Sequence, residues 1–342
     1  MFYKNPAIIS LNLKNLDTKN VTNMKFLFSD CQLLEELDIS HFNTEKVENM
    51  HGIFSGCSRL NALNVSHFNT SNVKNMSYMF SNCISLKSLD VSNFNTSNVI
   101  SFEAMFHNVN LITSLDVSKF DTKKAINMRT MFGLCSSLVS LDLSNFKTEN
   151  VEDMDFMFDR CISLKNLKIS NFNTKHVRNM NNIFSFCESL EEIDLTNFNT
   201  ESVIGMGGMF KGCKNLKNLN LNNLNTQNVN SMSNMFQGCK QLNKIDLINF
   251  DTNNVEYMNE MFSDCISLID LDISHFNTKK LKNIEGMFCR CSSLVNLKLP
   301  IFENKDNLKY TGMINSCPSL INVDLQNLDK QKALEEKNCI IF

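Results

Sequence analysis

The sequence predicts an α/β repeat solenoid, and three observations predict it. A unit of 26 residues, seen in full at 34–59, recurs with drift along the whole chain. Cysteine stands in one column at Cys31, Cys57, Cys83, Cys135, Cys161, Cys187, Cys213, Cys239, Cys265, Cys291 and Cys317, every step being 26 residues, or 52 where Val109 fills the place. Within each unit the apolar side chains first alternate with polar ones and then fall three and four apart.

Each element of the unit follows from local chemistry. Leu34, Leu37 and Ile39 open it as L-x-x-L-D-I-S. Leu37 and Ile39 alternate with Asp38 and Ser40, the period of a strand with one buried face. Phe42 turns inward, and Asn43 and Thr44, which bond backbone in turns and caps, take the chain out of the strand. Met50, Ile53, Phe54 and Cys57 then follow the i, i+3, i+4, i+7 spacing of a short helix face. Val47 belongs either to that helix or to an extended piece before it, and periodicity does not decide. A single unit buries too little to offset the ordering of its own backbone, so units must stack, with Asn and Thr ladders between turns. A period of this length with this leucine spacing is the signature of leucine-rich repeats. The expected architecture is a right-handed leucine-rich-repeat solenoid of about twelve turns. It has a parallel β-sheet on the concave face and short helices or turns on the convex face. It spans residues 1–328, with a polar tail over 329–342.

Composition narrows the function. Three prolines and ten glycines in 342 residues leave no candidate linker. A net charge of −3 argues against a nucleic-acid surface. No apolar run reaches the roughly 20 residues that span a bilayer, and the opening MFYKNPAIIS lacks the basic start and apolar core of a secretory leader. Thirteen cysteines would read as a disulfide scaffold in a secreted protein. Val109, however, substitutes in the column without disturbing its neighbours, so a buried, reduced ladder of small apolar groups is the preferred reading.

Along the chain, Met1 and Phe2 fall in the register of Ile53 and Phe54, so the sequence starts within a repeat. Either Phe2 and Ile8 form an abbreviated cap or the array is longer. The fourth turn departs most, with Phe102, Val109 and Ile112 in the Met50, Cys57 and Leu34 columns. Ile284, Pro300, Asn304, Tyr310 and Ile314 erode the last turns, as expected of a repeat that must face water. After Leu328 the pattern dissolves into DKQKALEEKN, a short polar helix or a free tail.

Three columns are candidates for function. Asp38, Asp90, Asp116, Asp142, Asp194, Asp246 and Asp272 project from the strand face, with Asp324 beyond them. Asn64 and Asn220 are neutral members, and Lys168 and Lys298 interrupt the stripe. Like charges on adjacent strands repel, so the stripe suits a basic protein partner or weakly held divalent cations. The alternative, and the one preferred, is that each Asp bonds a nearby Ser or backbone amide. His41, His67 and His275 share a column without a recurring third ligand, which favours an exposed ladder position over a metal site. Cys289 lies off the cysteine column as a lone thiol. No nucleophile–base pair, glycine-rich phosphate loop or metal-ligand spacing occurs. The sequence therefore implies no enzyme, no cofactor, no metal and no small-molecule substrate.

The final Cys339-Ile340-Ile341-Phe342 fits C-a-a-X, with the terminal Phe that geranylgeranylating enzymes accept. Prenylation of Cys339 is preferred over an apolar end tucked under the last turn, because a polar spacer precedes it. Lys330, Lys332 and Lys337 are offset by Glu335 and Glu336, so a second, polybasic signal is weak.

The consensus L-x-x-L-D-[ILV]-S-x-F-N-T-x-x-V-x-x-M-x-x-M-F-x-x-C resembles the repeat of BspA-like leucine-rich-repeat surface proteins, from about residue 1 to 328. The resemblance implies a non-catalytic adhesion or protein-interaction module that binds a protein partner through its concave face. The M-F-x-x-C portion is similar to the A-F-x-x-C of the related treponemal-type repeat, whose counterpart is a short convex-side helix. The C-terminal box resembles protist members and implies a lipid tether at the cytoplasmic face of the plasma membrane, while the family itself implies the cell surface. A soluble cytoplasmic scaffold and a fragment of a longer secreted adhesin are the alternatives.

Overall fold

Burial follows the 26-residue register. In the computed structural model, which describes residues 2–335, Leu34, Ile39, Phe42, Val47, Met50, Ile53, Phe54 and Cys57 are all buried, and their counterparts in later turns largely repeat the pattern. Leu37, expected among them, is only half-buried. The chain divides into two compact units, Met1–Asn173 and Thr174–Phe342.

In the first unit, Phe2, Phe28, Phe54, Phe80, Phe106, Phe132 and Phe158 form a continuous stack with ring centroids 5.6 to 5.8 Å apart. Asn23, Asn49, Asn75, Ser101, Asn127 and Asp153 run beside it as a parallel ladder of single bridges. Strand β1 (Ser140–Asp142) pairs in parallel with β2 (Asn166–Lys168), placing Leu141 beside Leu167. In the second unit, Phe184, Phe210, Phe236, Phe262 and Phe288 stack at 5.4 to 5.8 Å. There β3 (Asp270–Asp272), β4 (Asn296–Lys298) and β5 (Asn322–Val323) form a parallel sheet in that order. The expected sheet is thus present in pieces. Within the paired strands the Leu37 column is buried at Leu141, Leu271 and Leu297 and half-buried at Leu167 and Val323.

Polar ladders complete each stack. The buried Thr44 hydroxyl donates to the carbonyl of Asn69 in the next turn at 2.9 Å. The same bond recurs from Thr70, Thr96 and Thr122 in the first unit, and from Thr200, Thr226 and Thr252 in the second. Cysteine thiols do likewise: Cys57 Sγ donates to Phe28 O at 3.2 Å, and Cys239 Sγ to Phe210 O at 3.2 Å. A free thiol such as Cys57 therefore fills a core site and satisfies a carbonyl. It bears no disulfide.

The short helix expected over Met50 to Cys57 is replaced by successive β-turns. Ile53 N bonds Met50 O, Ser55 N bonds Gly52 O and Cys57 N bonds Phe54 O, all i to i−3. Gly52 and Gly56 have φ of +58° and +74°, placing a left-handed residue third in the first and last of these turns. The intervening amides of Met50, Gly52, Phe54 and Gly56 bond carbonyls of the next turn, at Asn75, Ser77, Met79 and Ser81. A helix would spend those amides on its own carbonyls. Here they join neighbouring turns, which is why Met50, Ile53, Phe54 and Cys57 can share one buried side without a helix.

At the far end the tail forms α1 (Lys330–Leu334), capped by Asp329, whose side chain accepts from Lys332 N. Its carbonyls stand in for a further turn. Gly312 N bonds Lys332 O and Ile314 N bonds Ala333 O, each at 3.1 Å, and Ala333 is fully buried. Among the described residues no helix is long and apolar enough to cross a membrane.

Candidate interaction surface

The strand face carries the acidic column on residues that the alternation points outward. Asp38, Asp90, Asp116, Asp142, Asp194, Asp246 and Asp272 are all exposed. Each Oδ1 is fixed locally, accepting from the backbone amide two residues on, as Asp90 does from Ser92 at 2.9 Å. Ser40, Ser92, Thr196 and Ser274 add their hydroxyls to the same oxygen. These bonds hold the carboxyls of Asp38, Asp90, Asp116 and Asp194 below the ordinary carboxylate range. The local-bonding reading of the column is therefore what the geometry displays, and it leaves Oδ2 pointing away.

What Oδ2 meets differs along the face. Asp142 Oδ2 takes Lys168 Nζ at 2.7 Å, and Asp272 Oδ2 takes Lys298 at 2.9 Å. The two lysines that interrupt the column thus neutralise their neighbours. Asp90 instead feels Asp116 one rung away, whose charge opposes the lowering due to Ser92.

Around Asp38 and Asp90 the first unit opens a groove of about 750 Å³. Its lining includes Glu35, Glu36, Asp38 and Asp90 and no lysine or arginine. Arg59 reaches Glu35 only at 3.4 Å, with both side chains more than half exposed, an arrangement worth little. Along the groove no backbone–backbone hydrogen bond engages residues 61–64, which lie between residues 35–38 and 88–90 of the neighbouring turns. The acidic column brings Asp38 and Asp90 to this groove, while Asp116 and Asp142 lie farther along the face. Sequence reasoning missed Glu35 and Glu36. Their signal was available, because both are charged residues at the two variable positions of L-x-x-L, just before the Leu37 strand.

Two other candidates change character. His67 Nε2 bonds the carbonyl of Ile39 at 2.9 Å and His275 Nε2 that of Leu247 at 3.1 Å, so these rings tie turns together. Among the described residues no cluster of three or more His, Cys, Asp or Glu has metal-holding geometry. Cys289, expected to be a lone thiol, is buried and disulfide-bonded. Cys339, the expected lipidation site, lies outside the described residues.

A family model described as "Mycoplasma protein of unknown function, DUF285" matches the chain in five overlapping stretches, 1–114, 63–144, 84–191, 135–245 and 211–328. No curated protein matches the chain. Among solved structures, a leucine-rich repeat protein from Bacteroides ovatus is 19% identical, over 80% of this chain and 74% of its own, with a TM-score of 0.35. A leucine rich cell surface protein from Faecalibacterium prausnitzii is 14% identical, over 93% and 81%, with a TM-score of 0.40. The functional domain of InlJ from Listeria monocytogenes, which includes a cysteine ladder, is 18% identical, over 85% and 56%, with a TM-score of 0.37.

Proposed function

Since this chain belongs to the DUF285 family, whose description assigns no activity, we propose its function from geometry: a non-catalytic protein-interaction or adhesion module that binds an extended, basic segment of a protein partner in the strand-face groove of the first unit. The observation that carries this reading is the groove beside 61–64, with four carboxylates and no cation in its lining. An extended peptide laid there would rest on the strand face across residues 35–38, 61–64 and 88–90. Its lysines and arginines would meet Glu35, Glu36, Asp38 and Asp90, and complementary charge of this kind sets partner choice and association rate. The fixed Oδ1 of Asp38 and Asp90 lowers the cost of ordering them on binding.

The family description names a bacterial genus and lends no support to a protist-type member. Membrane attachment through Cys339 forms no part of this proposal. The test is fluorescence anisotropy with extended lysine- and arginine-rich peptides against wild type and a triple Glu36→Gln, Asp38→Asn, Asp90→Asn variant. Binding should weaken at least about tenfold in the variant and fall with added salt. Equal affinity for wild type and variant, or equal binding of an acidic peptide, would return the protein to a scaffold without this site.

A further inference from the structure

We propose that the strand face of the second unit carries a separate binding site for an acidic oligosaccharide, that is, for pyranose sugars bearing carboxylates. The site is a groove of about 510 Å³ over residues 217–222 and 244–246. Asn218, Asn220, Asn222, Lys244 and Asp246 stand exposed along it, and the half-buried Leu219 and Ile245 lie between them as a floor. None of these residues lines the groove of the first unit, so what binds there does not bear on this site.

Unpaired polar atoms set this groove apart. Farther along the same unit, neighbouring turns satisfy one another: Asn296 Nδ2 donates to Asp270, Asn322 Nδ2 donates to Asn296, and Lys298 pairs with Asp272. In the groove the side chains of Asn218, Asn222 and Lys244 make no hydrogen bond or ion pair to another described residue. Asn220 Oδ1 accepts from the amide of Asn222 at 3.1 Å, and Asp246 Oδ1 from that of Ile248 at 3.0 Å. Both side chains are thereby fixed, with Asn220 Nδ2 and Asp246 Oδ2 left unengaged. Lys217 meets Glu191 at 2.8 Å, but both side chains are more than half exposed, and such a pair is worth little against a ligand.

The free atoms select the ligand. A sugar hydroxyl both donates and accepts, and a primary amide offers a donor and an acceptor side by side, so three amides at alternate positions match successive hydroxyls. Asp246 Oδ2 can only accept and takes hydroxyl protons. Lys244 Nζ can only donate, and its strongest acceptor is a carboxylate. Leu219 and Ile245 supply apolar surface for the C–H face of a pyranose, the combination of an apolar bed with a few placed polar groups that ligand sites use. A neutral sugar would leave Lys244 without an anion. An acidic peptide would set carboxylates against Asp246, where like charges repel, and would offer the amide row few hydroxyls.

The test is isothermal titration calorimetry of the full chain with hexasaccharides of hyaluronan, polygalacturonate and polysialic acid, beside neutral chitohexaose and the peptide hexaglutamate. At least one acidic hexasaccharide should bind about tenfold or more tightly than chitohexaose and hexaglutamate, and its affinity should fall with added salt. Lys244→Gln should cost that sugar about tenfold and bring it down to the level of chitohexaose. An Asn218→Ala, Asn222→Ala double variant should weaken acidic and neutral sugars alike. All three substituted positions are exposed, so the urea midpoints of these variants should match wild type. The Glu36→Gln, Asp38→Asn, Asp90→Asn variant of the first-unit groove should bind the sugar as wild type does, which keeps the two sites separable. No binding of any acidic hexasaccharide, hexaglutamate bound as tightly as the best sugar, or full sugar affinity in both second-unit variants would each overturn the proposal.

Discussion

Thr122 Oγ1 donates to the carbonyl of Lys147 at 2.9 Å and accepts from the amide of the same residue at 2.7 Å. One buried hydroxyl thus satisfies both backbone groups of a residue 25 positions away, in the next turn. Thr122→Val keeps the shape and strands the donor and the acceptor together. It should destabilise the first unit by about 1–3 kcal/mol in urea unfolding, and Thr122→Ser should recover most of that. A shift under about 0.5 kcal/mol for the valine would mean water replaces the hydroxyl.

The cysteine column makes stability depend on alkaline pH. Burial pushes the thiols of Cys83, Cys135 and Cys213 up to about 12 from an ordinary 9.0. The folded thiols hold their protons at a pH where the unfolded chain gives them up. Their contribution is therefore complete below about pH 9 and is lost as pH rises toward about 12. The urea midpoint should fall between about pH 8 and pH 11. A Cys83→Val, Cys135→Val variant, which repeats the exchange the chain already carries at Val109, should fall less steeply. Parallel curves for both proteins would show that the thiols do not titrate against folding.

Legibility in the sequence divides along a physical line. Side-chain burial was readable, since Met50, Ile53, Phe54 and Cys57 are apolar in nearly every turn and are buried. Backbone conformation was not, because the i, i+3, i+4, i+7 spacing fits a helix and a run of β-turns equally well. The overlooked signal was glycine: seven of the ten glycines sit in the Gly52 and Gly56 columns with positive φ. Tyr78, Phe156 and Arg160 occupy the same columns at φ near +60°, and their side chains hid the pattern. On the strand face the Asp38 column was legible as exposed. The groove was not, since its lining is assembled from four successive turns, from Ser10 to Asp90.

Ala333 is fully buried beneath the last turn, and its carbonyl accepts from Ile314 N. Ala333→Asp would force a carboxylate into that contact, at a cost of several kcal/mol unless the helix lifts away. The expected outcome is release of α1, with exchange at Gly312 and Ile314 accelerating at least about tenfold while Thr122 and its neighbours keep their protection. Unchanged exchange at Gly312 would show that the α1 carbonyls do not protect that end.

Thr130 decides between turn and helix by the sign of a single measurement. It stands in the Gly52 column at φ +57°, a left-handed conformation that a β-branched residue adopts at a cost of order 1 kcal/mol. Glycine enters that region freely, as Gly52, Gly208, Gly286 and Gly312 do in the same column. Thr130→Gly should therefore stabilise the first unit by about 0.5–1 kcal/mol despite the greater freedom of glycine in the unfolded chain. In a helix the same change would destabilise by a few tenths of a kcal/mol, because glycine is the poorer helix former. Asn234→Gly, at φ +60° in the second unit, should follow the same sign with a smaller gain, since asparagine tolerates the left-handed region better than threonine. A lowered urea midpoint for Thr130→Gly would restore the helix over Met50 to Cys57 and remove the turn-to-turn amide bonds from the account of how the stack holds together.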